Sequence, residues 1–216
     1  MLFENNAYLY GGHFTVSEFM KKYSYSAVKL FVSQMALSVF GLVLAIACAK
    51  IGKTMQIVSS VGAVIFYLFL IYTAIWEVGS KDKFGIEYGK FEAKPLTGLY
   101  IGLLANSLNL LLAVIFTLGL SFGDGDALSA VSGLCGCIAM FIEGMYTGLL
   151  SIHVGGAPLN SYWYPYFLIT IPAIVTSAFA YYSGIKGIHF TKIMVPETPE
   201  EAEIRREKKK ARNEEE

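Results

Sequence analysis

The sequence predicts an all-α fold, a polytopic transmembrane helix bundle of four to six membrane-embedded helices with one broken or fold-back segment. Three observations carry that expectation. Hydrophobic residues fill 55% of the 216 positions and charged residues only 16%, against roughly 45–50% and about 25% in soluble domains. Apolar runs of about twenty residues recur between short polar breaks, as a hydrocarbon core of ~30 Å demands. All three arginines, Arg205, Arg206 and Arg212, lie in the last twelve positions, so the remainder lacks one of the side chains costliest to insert. Barrel strands would alternate over about ten residues, whereas these runs are apolar at nearly every position.

Residues 1–26 read as an N-terminal interfacial segment. Thr15 and Glu18 have the spacing of a capping box ahead of Phe19, Met20, Lys21 and Lys22, and Tyr8, Tyr10 and Phe14 suit a membrane-surface anchor. The bundle is expected over residues 27–186. Its first run, Ala27 to Ala49, has 23 residues and covers about 34 Å as a helix. Further runs follow at Gln56 to Val78, Leu96 to Phe122, Ala127 to Val154 and Tyr162 to Ile185. Pro172 has no N–H to donate and predicts a kink in the last run. Tyr162, Trp163, Tyr164 and Tyr166 mark a membrane boundary. Residues 187–216 read as a charged cytoplasmic tail, with Thr198 as a cap and Pro199 at the first helical position.

Lysine and arginine counts predict orientation. Lys21 and Lys22, the four lysines of the 80–95 loop and the eight basic residues from Lys186 onward belong on the cytoplasmic side of a multi-pass cell-membrane protein. The 50–55 turn, the 122–126 turn and the 155–161 loop belong outside. Five simple crossings from a cytoplasmic N-terminus would place the charged tail outside, so one run must fold back. Ala127 to Val154 is the weakest, with Gly133, Cys135, Gly136 and Cys137 in series and Gly144 beyond. A break near Gly133 to Cys137 restores an even number of crossings; the alternative is five true spans with an external N-terminus. Irregular backbone at membrane depth requires cover from protein or a water-filled cavity.

Small and polar residues recur at helical spacing and predict packing faces. They are Gln34, Ser38, Gly41, Ala45 and Cys48 in the first run, then Gly98, Gly102, Asn106, Asn109, Ala113 and Thr117 in the third. The last run has Ala173, Ser177, Ala180 and Gly184. The candidate binding residues are Glu143, Asn106 and Asn109. Glu143 is the one acid deep within an apolar run, where an ionised carboxylate costs at least about 2.5 kcal/mol. It is therefore expected to be protonated, paired or facing a cavity, on a face shared with Ser129, Gly133, Gly136 and Thr147. Asn106 and Asn109 are its available hydrogen-bond partners.

No catalytic residue, cofactor or metal site is expected. Cys48, Cys135 and Cys137 lie in apolar runs, His13, His153 and His189 are scattered, and no zinc, nucleophile-elbow or phosphate-loop pattern occurs. Seventeen basic and seventeen acidic residues cancel, which leaves no basic excess for nucleic acid. The partners expected are the lipid bilayer, a membrane or cytosolic protein, and a small solute. The function expected is that of a noncatalytic accessory or structural membrane component packing with partners. The alternative is a small-solute transporter or substrate-binding subunit. In size, helix number and the Ala45-x-x-x-Ala49 pair the chain resembles the small substrate-binding membrane subunits of energy-coupling-factor transporters. That resemblance implies a bound small solute and a first helix that docks through small residues.

Overall fold

A computed structural model describes residues 16–90, 94–122 and 127–188, residues 127–129 through their backbone alone. Thr15 of the expected capping box, residues 123–126 of the outer turn and the tail from His189 onward lie outside the described residues. The chain divides after Lys186 into two compact units, and the architecture is that of the first. Helix α1 runs Val16–Ala49 and α2 Lys53–Glu87; α3 is Thr97–Ala105, α4 Ser107–Phe122 and α5 Ala127–Ile142. A 3-10 turn at Gly144–Tyr146 leads to α6, Thr147–Leu150. A two-residue hairpin, β1 His153–Val154 with β2 Ala157–Pro158, precedes α7 (Pro165–Leu168) and α8 (Ile171–Lys186).

Three stretches are long and apolar enough to cross a membrane: Val16–Ala49, Lys53–Glu87 and Pro165–Lys186. Their surface is inverted relative to a soluble domain. Val28, Val32, Phe40, Val43 and Ile46 point outward from α1, whereas Gln34, Ser38, Gly41 and Ala45 are buried. Water would penalise that arrangement, and lipid does not distinguish it from a leucine core, so helices associate instead through close approach and hydrogen bonds. The predicted faces of α3, α4 and α8 are buried in the same way at Gly98, Gly102, Asn109, Ala113, Ala173, Ser177, Ala180 and Gly184.

Helices α1 and α2 have 34 and 35 residues, about 51 and 53 Å of helix. They form an antiparallel pair around a three-residue turn in which Gly52 takes φ 146°, a conformation that suits glycine. The opposite end joins the start of α1, the end of α2 and the end of α8: Lys22 and Tyr23 of α1 and Tyr181 of α8 all reach Asp82 of α2. The first turn of α3 sits there too, since a Cβ on Gly98 would meet Ser177 and Tyr181.

The expected fold-back exists, and its position is corrected. Helix α5 is continuous through Gly133 to Cys137, and the chain breaks at Glu143, where the helices on either side diverge by 83°. Ser132 donates to the Phe116 carbonyl at 3.0 Å, and Phe116 packs on Tyr166, 4.9 Å between ring centroids. From that level α5 descends until the Ile142 carbonyl accepts a hydrogen bond from Ser38, midway along α1. After the bend, α6 climbs back until the Gly148 N–H donates to Ser60 Oγ at 2.7 Å, and Lys53 reaches His153 at 2.9 Å beside the α1–α2 turn. The segment from α5 to α6 therefore returns to the end from which it started, as an even number of passages would require. Glycines inside α5 are tolerated because apolar surroundings supply no competing partner for the helix backbone.

A second break was not anticipated. The run from Leu96 to Phe122 bends by 56° between α3 and α4. Asn106 sits at the bend, where its N–H and its Nδ2 both donate to the Gly102 carbonyl, at 3.0 and 2.9 Å. The expected kink at Pro172 lies just upstream of it, at Ile169 and Thr170, and Pro172 occupies the first turn of α8, where a missing N–H is harmless. Gly155 and Gly156, at φ 64° and 90°, supply the two left-handed residues that a tight hairpin requires.

Two outcomes check this architecture. A Cβ on Gly102 would lie 2.9 Å from Ser177 Cβ and 3.2 Å from Ile174 Cα, whereas Leu103 is partly exposed. Gly102→Leu is expected to destabilise the detergent-solubilised protein by about 1–3 kcal/mol and Leu103→Ala by much less, read as thermal midpoints. In a variant lacking Cys48, Cys135 and Cys137, single cysteines at Tyr88 and Lys186 are expected to label from one side of sealed vesicles and one at Gly156 from the other. Labelling of positions 88 and 186 from opposite sides would contradict the even number of passages.

Candidate functional site

Glu143 sits at the fold-back itself. Its own N–H continues α5 by donating to the Ala139 carbonyl, and its carbonyl accepts from Tyr146 N–H, both at 2.8 Å. Between those bonds the helix direction is lost. Three glycines let the bent segment wedge between α1 and α2. A Cβ on Gly41 would lie 2.5 Å from Met145 Cα, one on Gly144 would lie 2.6 Å from the Ser38 carbonyl, and one on Gly148 would strike the backbone at Gln56. The wedge carries Glu143 into the interior, where it is 2% exposed.

The side chains around it are polar and incompletely satisfied. Tyr67 on α2, Tyr146 in the turn and Tyr166 on α7 are close enough to interact electrostatically with the carboxyl group. Glu143 Oε2 and Tyr146 Oη have no hydrogen-bond partner among the described residues, and neither do Gln34 Oε1, one turn along α1 from Ser38, and Asn109 Oδ1 on α4. Leaving such an atom buried and unpaired costs about 1–3 kcal/mol each. Buried polar atoms are satisfied in the great majority of cases in folded proteins, with a few exceptions per hundred residues.

The structure separates the sequence candidates. Asn106 and Asn109 are both buried, but they bond to each other, Asn109 Nδ2 donating to Asn106 Oδ1 at 3.3 Å, and Asn106 is anchored to Gly102. Neither is bonded to Glu143, so the expected pairing is corrected: the asparagines lie at the α3–α4 bend, and Glu143 keeps an unpaired oxygen. The face expected to flank Glu143 is also revised. Gly136 is buried against Phe116, Gly133 is open, and Ser132, Cys135, Ala139 and Ile142 form the buried side of α5. No group of three or more potential metal ligands occurs among the described residues.

A polar cluster missed by the sequence reading closes the lysine-rich end. Asp82 is 6% exposed and accepts from Tyr23 Oη at 2.6 Å and Tyr181 Oη at 2.7 Å, while Lys22 Nζ lies 2.9 Å from its other oxygen. Three residues from α1 and α8 are thereby tied to one carboxylate on α2. The residue was assigned to a loop because charge rises after Val78, yet α2 continues to Glu87. Its buried positions, Ser60, Ala63, Tyr67, Ile71, Ile75, Gly79 and Asp82, follow an unbroken three-to-four spacing. That periodicity was the available signal. The Ala45–Ala49 pair changes meaning as well: Ala45 is fully buried inside the bundle and Ala49 is exposed, so the pair forms no common docking face.

Removing the shared acceptor should loosen this end. Asp82→Ala is expected to cost about 2–3 kcal/mol, because two tyrosine hydroxyls and a half-buried ammonium lose their partner together, and Tyr23→Phe about 1 kcal/mol. Glu87→Ala, which breaks only the exposed 3.7 Å contact with Lys83, should be near neutral. Thermal unfolding of the three variants in one detergent checks the order. Compared with known proteins, the chain matches no family model, no curated protein and no solved structure.

Proposed function

We propose that the protein is a noncatalytic membrane component that binds a small cation or protonated amine at Glu143, as a solute-binding or transport protein does. The observation that carries this reading is a carboxyl group 2% exposed, with an oxygen unpaired among the described residues, at a break in a fold-back segment. Ionisable groups inside membrane helices are costly, and they concentrate at ion and substrate pathways. Broken helices at mid-depth serve such sites because the interruption frees main-chain groups and permits movement. A single carboxylate near neutral phenol groups suits a monovalent charge; a calcium-type site needs several carboxylates. The end bearing Lys22, Lys81, Lys83 and Lys90 is assigned to the cytoplasm by the positive-inside rule.

An accessory role beside a larger membrane partner is a second reading. It is favoured by an apolar groove of about 270 Å³ between α1 and α3, lined by Met20, Ala27, Phe31, Leu104 and Leu108.

Thermal stability of the purified protein in sodium, potassium, ammonium and methylammonium chloride, against N-methylglucamine chloride at equal ionic strength, tests the cation reading. A ligand at 100 times its Kd stabilises by about 2.7 kcal/mol, so at least one salt should raise the wild-type midpoint by several degrees. Glu143→Gln, which keeps the shape and loses the charge, should not respond. Equal responses of the two proteins to every salt would overturn the cation site and leave the accessory role.

A further inference from the structure

The lysine-rich end of the α1–α2 pair carries a second feature, independent of Glu143. A groove of about 230 Å³ opens between the two helices, floored by Ile75 and Val78 and bordered by Lys22, Lys29, Lys81, Glu77 and Asp82. Lys22 is engaged with Asp82 at 2.9 Å and Lys81 with Glu77 at 2.7 Å. Lys29 has no ion pair within 4.0 Å among the described residues. Three ammonium groups against two carboxylates leave one net positive charge, and it resides on Lys29.

Depth decides what can neutralise it. Lys29 is twenty residues from Ala49, the end of α1 at the short α1–α2 turn, hence about 30 Å along the helix. That is the thickness of the hydrocarbon core. With the short turn at one interface, Lys29 stands at the other, at headgroup level, and Lys22 and Lys81 lie beyond it. On its hydrocarbon side the surface is apolar, with Val28 and Val32 each 59% exposed. Tyr25 and Ser26 add hydroxyls to the rim. Val28 lines the other groove, with Leu104 and Leu108; Val32, one helical turn deeper than Lys29, is the exposed apolar residue that an acyl chain would meet, and a soluble anion would use the ammonium group alone.

We infer that this groove binds the headgroup of an anionic phospholipid, with Lys29 as the principal contact to its phosphate and an acyl chain lying along Val32.

Titration of the detergent-solubilised protein with phosphatidylglycerol, read as a thermal-midpoint shift, tests it, with phosphatidylcholine and inorganic phosphate as parallel titrants. Phosphatidylglycerol is expected to stabilise the wild type more than either. A lysine near anionic lipid accounts for about a fivefold affinity difference, so Lys29→Gln should weaken the apparent affinity about fivefold. Lys29→Arg should retain it, and Lys90→Gln, outside the groove, should match the wild type. Unchanged affinity in Lys29→Gln would overturn the site. An equal effect of inorganic phosphate would overturn the lipid assignment, and an equal effect of phosphatidylcholine would overturn the charge recognition.

Discussion

The insertion of residues 142–150 between α1 and α2 is the constraint from which the rest of the bundle follows. An apolar solvent cannot hydrogen-bond a broken backbone, so a helix may turn back at mid-depth only where protein supplies partners. Ser38 takes up the Ile142 carbonyl, and Ser60 takes up the Gly148 N–H. Both serines are fully buried on the facing sides of the long helices. The glycines at 41, 144 and 148 remove the side chains that would otherwise hold these backbones apart. A bulky residue at any of the three would separate the wedge from both serines at once.

The wedge also explains why polarity accumulates at the centre. A helix that ends inside a bundle exposes carbonyls and brings a connecting residue into the interior, and here that residue is Glu143. In a purely structural turn an asparagine or glycine at this position would avoid the desolvation of a carboxyl group. Tyr67, Tyr146 and Tyr166 bring phenol groups within electrostatic reach of it.

Asp82 performs the complementary task at one end. Helices of about 50 Å exceed the hydrocarbon core by roughly 20 Å, and the tight turn after Ala49 puts that excess on the opposite side. There the helices leave lipid, and close packing alone holds them less firmly. One buried carboxylate gathers Lys22, Tyr23 and Tyr181 and so joins α1, α2 and α8. Just below it, Gly79 and Gly184 let α2 and α8 come into backbone contact.

The sequence by itself determined the class of fold, because hydrocarbon imposes a length and an apolarity that can be read residue by residue. It also determined the packing faces of α1, α3, α4 and α8, whose small residues recur at the helical period, and it marked Ala127 to Val154 as the run most apt to break. It singled out Glu143 because an acid among apolar neighbours is costly wherever it points. Only the tertiary structure decided where the chain turns. Gly133 to Cys137 looks weaker than Glu143 by propensity, but a break must coincide with partners on another helix, and Ser38 and Ser60 are 104 and 88 residues away in sequence. The role of Asp82 was hidden for a related reason, since it depends on three helices whose ends meet only after folding.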